Sequence, residues 1–183
     1  MPEKTHRTAI VQIPPERVWK PIQEIRRIHD RQARRWMPHV TLLYPFRPRP
    51  ELEGVVPILE ERARSIAPFR VTLRGFCTFR HRRSAYTLWL RPEPEEEMKR
   101  LQAHLVRAFP DCNDTARFPG GFHPHLSVGQ FRGSRDDLHR LLEDIGSTWS
   151  PPEFRADAVH LIARGAPPDD VFRVIHEVRL GAG

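Results

Sequence analysis

Two short segments of the chain share one form. His39-Val-Thr41-Leu and His125-Leu-Ser127-Val each run histidine, apolar residue, hydroxyl residue, apolar residue. In a strand, alternate side chains share a face, so each segment presents an imidazole beside a hydroxyl and turns its apolar residues the other way. Two imidazoles facing each other can carry two proton transfers. With reference pKa values near 6.5, one accepts a proton while the other gives one, which predicts acid/base chemistry, a bell-shaped pH dependence and no need for a metal or cofactor. The bare triplet is weak evidence, because ten histidines and 14 Ser and Thr residues produce about one by chance. His6-Arg-Thr8 is such a match, with a charged middle residue and no counterpart elsewhere.

Placement strengthens the pair. Thr8 to Ile13 reads as a strand. Pro14-Pro15 opens a helix whose apolar face is Val18, Trp19, Ile22, Ile25 and Ile28, and His39 to Tyr44 is a second strand. After Pro45 to Pro50, a helix spans Leu52 to Ile66. Phe69 to Phe79 and Ala85 to Leu90 alternate as paired strands around the turn Arg80-His81-Arg82-Arg83. Pro94 and the following glutamates start a helix buried along Met98, Leu101, Leu105 and Phe109. His125 to Phe131 is a strand, Ser134 caps a helix to Ile145, and Ala158 to Ala163 and Val171 to Leu180 are closing strands. Residues 8 to 66 thus read strand, helix, strand, helix, and residues 85 to 145 repeat that order. Each histidine motif starts the strand after the first helix of its repeat, which suggests two similar lobes of an α+β protein.

Composition narrows the class. A chain of 183 residues with mean hydropathy −0.56 suits one soluble domain. No apolar run approaches the roughly 20 residues that span a bilayer, and the start of the chain does not read as a signal peptide, so a cytoplasmic protein without membrane contact is expected. Cys77 and Cys112 have no metal-ligand spacing and are expected as free thiols. Residues 1 to 91 carry 19 basic and 8 acidic side chains, whereas residues 92 to 183 carry 11 and 15. An arginine-rich front half suits a phosphate-bearing partner, since guanidinium forks grip phosphate oxygens in pairs; the same bias also arises from genome composition alone.

The matched motifs and their placement resemble the 2H phosphoesterase superfamily, which includes RNA 2′,3′-cyclic phosphodiesterases often called 2′-5′ RNA ligases. The resemblance covers nearly the whole chain. It implies one domain over 1–183 with a bilobal, pseudo-symmetric α+β fold: two antiparallel sheets lining a central cleft, helices outside, and sequence halves of roughly 1–80 and 81–183. It further implies that His39 and His125 are the acid/base pair and that Thr41 and Ser127 hold phosphate oxygens. Tyr44 stands where relatives carry an aromatic that stacks on a base, and the closing segment Val174 to Leu180 is also similar. The expected substrate is RNA or a nucleotide with a 2′,3′-cyclic phosphate or a 2′-5′ linkage, acted on by a monomer. Opening such a ring requires water to lose a proton while the leaving ribose oxygen gains one, and the reverse reaction with an RNA 5′-hydroxyl makes a 2′-5′ bond. The sequence leaves open which histidine is the base, and it leaves as alternatives a 2′-5′ RNA ligase or 2′-5′ phosphodiesterase, or a weakly active nucleotide- or RNA-binding module with the same fold.

One departure motivates the last of these. Many relatives have arginine five residues after the second histidine, where this chain has Gln130, and a neutral amide cannot offset developing charge. Arg132, Arg47 and Arg82 are candidates to substitute, with Gln130, Arg132, Arg82 and Tyr44 forming the expected substrate-binding set. His123-Pro-His125 invites a metal reading but lacks a completing ligand, so His123 is expected to position its loop. The run Arg80 to Arg83 reads either as an RNA-phosphate contact or as a solvated turn. Trp36 reads as a base platform or, preferably, as an anchor ahead of the first motif.

Overall fold

A computed structural model describes residues 3–181. In chain order the elements are β1 (Thr8–Gln12), α1 (Trp19–His29), β2 (Val40–Leu43), α2 (Leu52–Arg64), β3 (Phe69–Arg80), β4 (Ala85–Glu93), α3 (Glu95–Ala108), β5 (Leu126–Arg132), α4 (Arg135–Ser147), β6 (Glu153–Ala156), β7 (Ala158–Ala163) and β8 (Arg173–Arg179). The repeated order β1-α1-β2-α2 and β4-α3-β5-α4 is the one the periodicity predicts. Local chemistry accounts for the helix starts. Ser134 caps α4, its Oγ accepting the Asp137 amide at 3.1 Å, a contact worth about 1 kcal/mol, and Glu95, Glu96 and Glu97 fill the first turn of α3, where the helix dipole favours carboxylates.

The strands form one eight-stranded antiparallel sheet in the order β6-β3-β4-β5-β2-β1-β7-β8. This refines the expectation of two sheets. Each half has four strands, and the halves join through a single residue pair, Val40 opposite Leu126. β6 has no counterpart among the strands expected from periodicity. Its four residues pair with the start of β3, and a segment so short carries too little alternation to stand out in sequence. β7 and β8 return from the C-terminal end to lie beside β1, so the sequence halves interleave.

One face of the sheet carries the main core. Val40 and Leu42 of β2, Leu126 and Val128 of β5 and Leu88 and Leu90 of β4 pack there with Ile22 of α1, Leu59 of α2 and Leu101 of α3. Burying each such side chain contributes about 1.5–3 kcal/mol. The buried line of α1 differs from the expected one. Ile28 is 77% exposed, whereas Arg26 is 2% exposed and takes the inward place one turn after Ile22. The opposite face of the sheet is only partly covered. A small second cluster, Ala9, Val11, Ile162 and Phe172 with Trp36, Met37 and Tyr44 packed on it, fills that face over β1 and β7.

Candidate active site

The alternation read from the two motifs is what places them. Along both segments burial alternates: Pro38, Val40 and Leu42 are buried while His39 and Thr41 are half-buried, and Pro124, Leu126 and Val128 are buried while His125 and Ser127 are half-buried. Because Val40 and Leu126 face each other on the core side, extending that antiparallel pairing by one residue each way sets His39 opposite Ser127 and His125 opposite Thr41 on the open face. The two histidines are then diagonal neighbours, with side-chain origins about 7–8 Å apart by regular strand geometry.

Both imidazoles are held in one way. Nδ1 of His39 donates to the Met37 carbonyl at 2.6 Å, and Nδ1 of His125 donates to the His123 carbonyl at 2.6 Å. A carbonyl only accepts, so each bond fixes the ring proton on Nδ1 and leaves Nε2 with a free lone pair in the neutral form. Burial pushes the pKa of His39 down to about 4; Arg26 and His125 act in the same direction, while the Met37 carbonyl and Asp30 oppose it. Burial also lowers His125, against the His123 carbonyl.

The supporting groups differ between the halves. Trp36 stacks on His39 with 4.7 Å between centroids, and its other side stacks on Phe172 at 3.7 Å. This is the anchoring role preferred from sequence. Behind His39 runs a buried network. Arg26 Nε donates to Asp30 at 2.9 Å, its Nη2 to the Trp36 carbonyl at 2.8 Å, and Gln130 Nε2 to the other Asp30 oxygen at 3.0 Å. On the other side, Phe79 meets His125 edge-on at 4.9 Å, with Trp89 stacked on Phe79 at 4.8 Å. Sequence reasoning does not single out Arg26, Asp30, Phe79 or Trp89. The opposite charges four residues apart at the C-terminal end of α1 are the one available signal for the first two.

The other expected residues are scattered. Tyr44 follows β2, half-buried, with its ring edge-on to Trp36 and His6. Arg132 is exposed at the end of β5 and Arg82 is exposed in the turn between β3 and β4. Arg47 is not available as a substitute cation. It is 8% exposed and grips Asp111 through two bonds of 2.6 Å. His123 Nε2 meets the Pro119 carbonyl at 3.2 Å and so closes the glycine turn before the second motif, as expected of a loop-positioning residue. The third triplet does not join the site, since Thr8 is fully buried and its hydroxyl donates to the Arg47 carbonyl. Cys77 and Cys112 are free thiols. Among the described residues, no helix is long and apolar enough to cross a membrane.

Comparison with known proteins bears on this geometry. A family described as the 2′-5′ RNA ligase superfamily matches residues 14–168. An RNA 2′,3′-cyclic phosphodiesterase of Thermotoga maritima is 24% identical over 123 residues, which cover 67% of this chain and 64% of that protein, just under two thirds of its length. Among solved structures, one from Thermus thermophilus is similar with a TM-score of 0.64 at 24% identity, over 96% of this chain and 98% of its own. E. coli LigT complexed with 3′-AMP is similar with a TM-score of 0.60 at 17% identity, over 97% and 99%. At these identities the structural likeness speaks for the fold.

Proposed function

The chain belongs to the 2′-5′ RNA ligase superfamily, a group of 2H phosphoesterases, and from that premise we propose that it hydrolyses 2′,3′-cyclic phosphate ends of RNA or nucleotides by two-histidine acid/base catalysis without a metal. The observation that carries this reading is the matched pair. Two imidazoles, each bonded through Nδ1 to the carbonyl two residues earlier, flank one sheet join, and among the described residues neither Nε2 has a hydrogen-bond partner.

In the proposed step, one Nε2 takes a proton from water as its oxygen bonds to phosphorus. The Nε2–H of the other ring gives a proton to the ribose oxygen as its bond to phosphorus breaks. Thr41 and Ser127, opposite the two histidines, donate to the non-bridging oxygens, and an anion held between the rings favours protonation of the one that acts as acid. Tyr44, Gln130, Arg132 and Arg82 are assigned to substrate binding, Gln130 through the groups it holds. The same site run in reverse with an RNA 5′-hydroxyl would join 2′-5′ ends.

The test is hydrolysis of 2′,3′-cyclic nucleotides and of RNA with a cyclic end, in EDTA, over pH 4 to 9. Turnover that survives chelation and falls by at least ~10³-fold in both His39→Ala and His125→Ala is expected, since each variant removes a proton-transfer group and a wall of the phosphate site. Turnover that either variant retains overturns the two-histidine reading. Absence of turnover in the intact protein with nucleotide binding retained would make it a binding module.

A further inference from the structure

Plain alternation from Ser127 would put Gly129 and Phe131 on the open face of β5. The structure does otherwise. Trp89 faces Ser127, but Leu88 faces Gly129, so β5 has one extra residue at this point, a bulge against β4. Beyond the bulge, Gln130 faces Thr87 and Arg132 faces Ala85. Gln130 and Arg132 therefore share the open face with Ser127, while Phe131 packs toward the core.

Gln130 also carries a cation. Its Oε1 accepts the backbone amide of Arg31 at 3.0 Å, with the Arg31 Nε at 3.5 Å. Neighbouring Asp30 gives Arg31 no counter-charge, being bonded to Arg26, Gln130 and the Gln32 amide. Among the described residues neither Arg31 nor Arg132 has a carboxylate partner, and both are exposed. Next to them on the same face, His81 Nε2 is 2.9 Å from the Thr87 hydroxyl. The other half of the face is more apolar, and its arginines are held by neighbouring groups. There the apolar cluster over β1 and β7 fills the surface, Arg34 and Arg35 share the one carboxylate of buried Asp170 at 2.9 and 2.6 Å, and Arg164 lies over the Phe172 ring.

We propose that the open face of β4 and β5 beyond Ser127 is a track for an RNA strand, in which Arg31, braced by Gln130, and Arg132 bind phosphodiesters next to the reacting end. The proposal rests on the cyclic phosphodiesterase reading for where the strand ends. A 2′,3′-cyclic phosphate sits on the last ribose, so the rest of the strand leaves through its 5′ oxygen. The rows Ser127, Gln130 and Arg132 are each about 7 Å apart along the strand, and long arginine side chains on such rows reach successive phosphates of one chain. Guanidinium groups without carboxylates grip phosphate without reading sequence, and the half-buried rings of Phe79 and Trp89 offer flanking surfaces for a base. The substrate is accordingly an oligonucleotide rather than a mononucleotide.

The experiment measures binding by fluorescence anisotropy of a labelled eight-nucleotide RNA ending in a 3′-phosphate, with a nucleoside 3′-monophosphate as competitor, over a salt series. The intact protein is expected to bind the oligomer at least tenfold more tightly than the monophosphate. Arg31→Ala with Arg132→Ala should remove most of that advantage and flatten the dependence of log Kd on log salt by about 1.4, two phosphate contacts at about 0.7 each. Arg34→Ala should leave the slope in place. Equal affinity for oligomer and monophosphate, or an unchanged slope in the double variant, overturns the track. Hydrolysis of the same oligomer carrying a 2′,3′-cyclic end, measured in parallel, separates the two readings: turnover without oligomer preference in binding overturns the track alone, and oligomer preference without any turnover overturns the phosphodiesterase reading alone.

Discussion

Trp36 lies nearly parallel to His39, with 17° between the ring planes and 4.7 Å between centroids, whereas Phe79 meets His125 at 89°. The two halves thus hold equivalent imidazoles by different means. On the His39 side the stack continues through Phe172 to Arg164, whose guanidinium carbon lies 5.5 Å from the Phe172 ring centre. Asp170 and the Phe172 amide, which donates to the Arg35 carbonyl, clamp the segment that leads into the first motif.

This stack makes Trp36 a positioning residue. In Trp36→Ala, His39 keeps its Nδ1 bond but loses a wall, so kcat is expected to fall about 10–100-fold while KM moves far less. Trp36→Phe should restore most of the rate. Truncating a packed tryptophan costs about 3–5 kcal/mol, so steady-state kinetics are to be compared below each variant's melting temperature. A rise in KM with kcat unchanged would instead mark Trp36 as a base platform.

The pH dependence has a definite sign. The base works above its pKa and the acid below its own. With His39 pushed down to about 4 and His125 also lowered from 6.5, kcat/KM, which reports the free protein, should peak on the acid side of neutrality and fall as pH rises past 6.5. The kcat profile should lie higher, because bound phosphate favours the protonated acid. Stability follows from the same shifts: between pH 6.5 and 4 the unfolded chain binds more protons, so the melting temperature falls with pH, and His39→Gln should reduce that slope. A kcat/KM optimum near pH 8 would contradict the burial of both rings.

Asp30 is the counter-ion of a buried cation, with side-chain exposures of 2% for Arg26 and 3% for Asp30. Asp30→Ala leaves Arg26 unpaired, a loss of about 3–5 kcal/mol. At about 2–4 °C per kcal/mol for a domain of this size, the melting temperature should drop by about 10 °C. Arg26→Met combined with Asp30→Leu should recover much of the loss, which calorimetry would read directly.

Thr41 and Ser127 are assigned one charge-assisted hydrogen bond each to the phosphate. Such bonds contribute about 1.5–3 kcal/mol, so Thr41→Ala and Ser127→Ala should each lower kcat/KM by about 10–150-fold without shifting the pH limbs. A loss below threefold in both would remove the hydroxyls from the proposed mechanism.

The sequence by itself determined what depends on neighbours along the chain. His39 shares a face with Thr41, and His125 with Ser127, because strand side chains alternate; Ser134 starts α4 because its hydroxyl reaches Asp137; and the repeated element order follows from local apolar periodicity. Long-range register was not legible. Only tertiary packing joined Val40 to Leu126 and so brought two motifs 86 positions apart in numbering to one face. Only the bulge in β5 turned Gln130 and Arg132 onto that face, where alternation alone predicts the opposite. Packing likewise buried Arg26 in place of Ile28, since Asp30 and the Trp36 carbonyl could satisfy the guanidinium inside. It drew Arg47 away to Asp111 and set Arg31 against Gln130, 99 positions distant. Periodicity tells which way a side chain points within its own element; which groups meet there depends on the pairing of distant elements, and that is settled by the summed burial of the whole core.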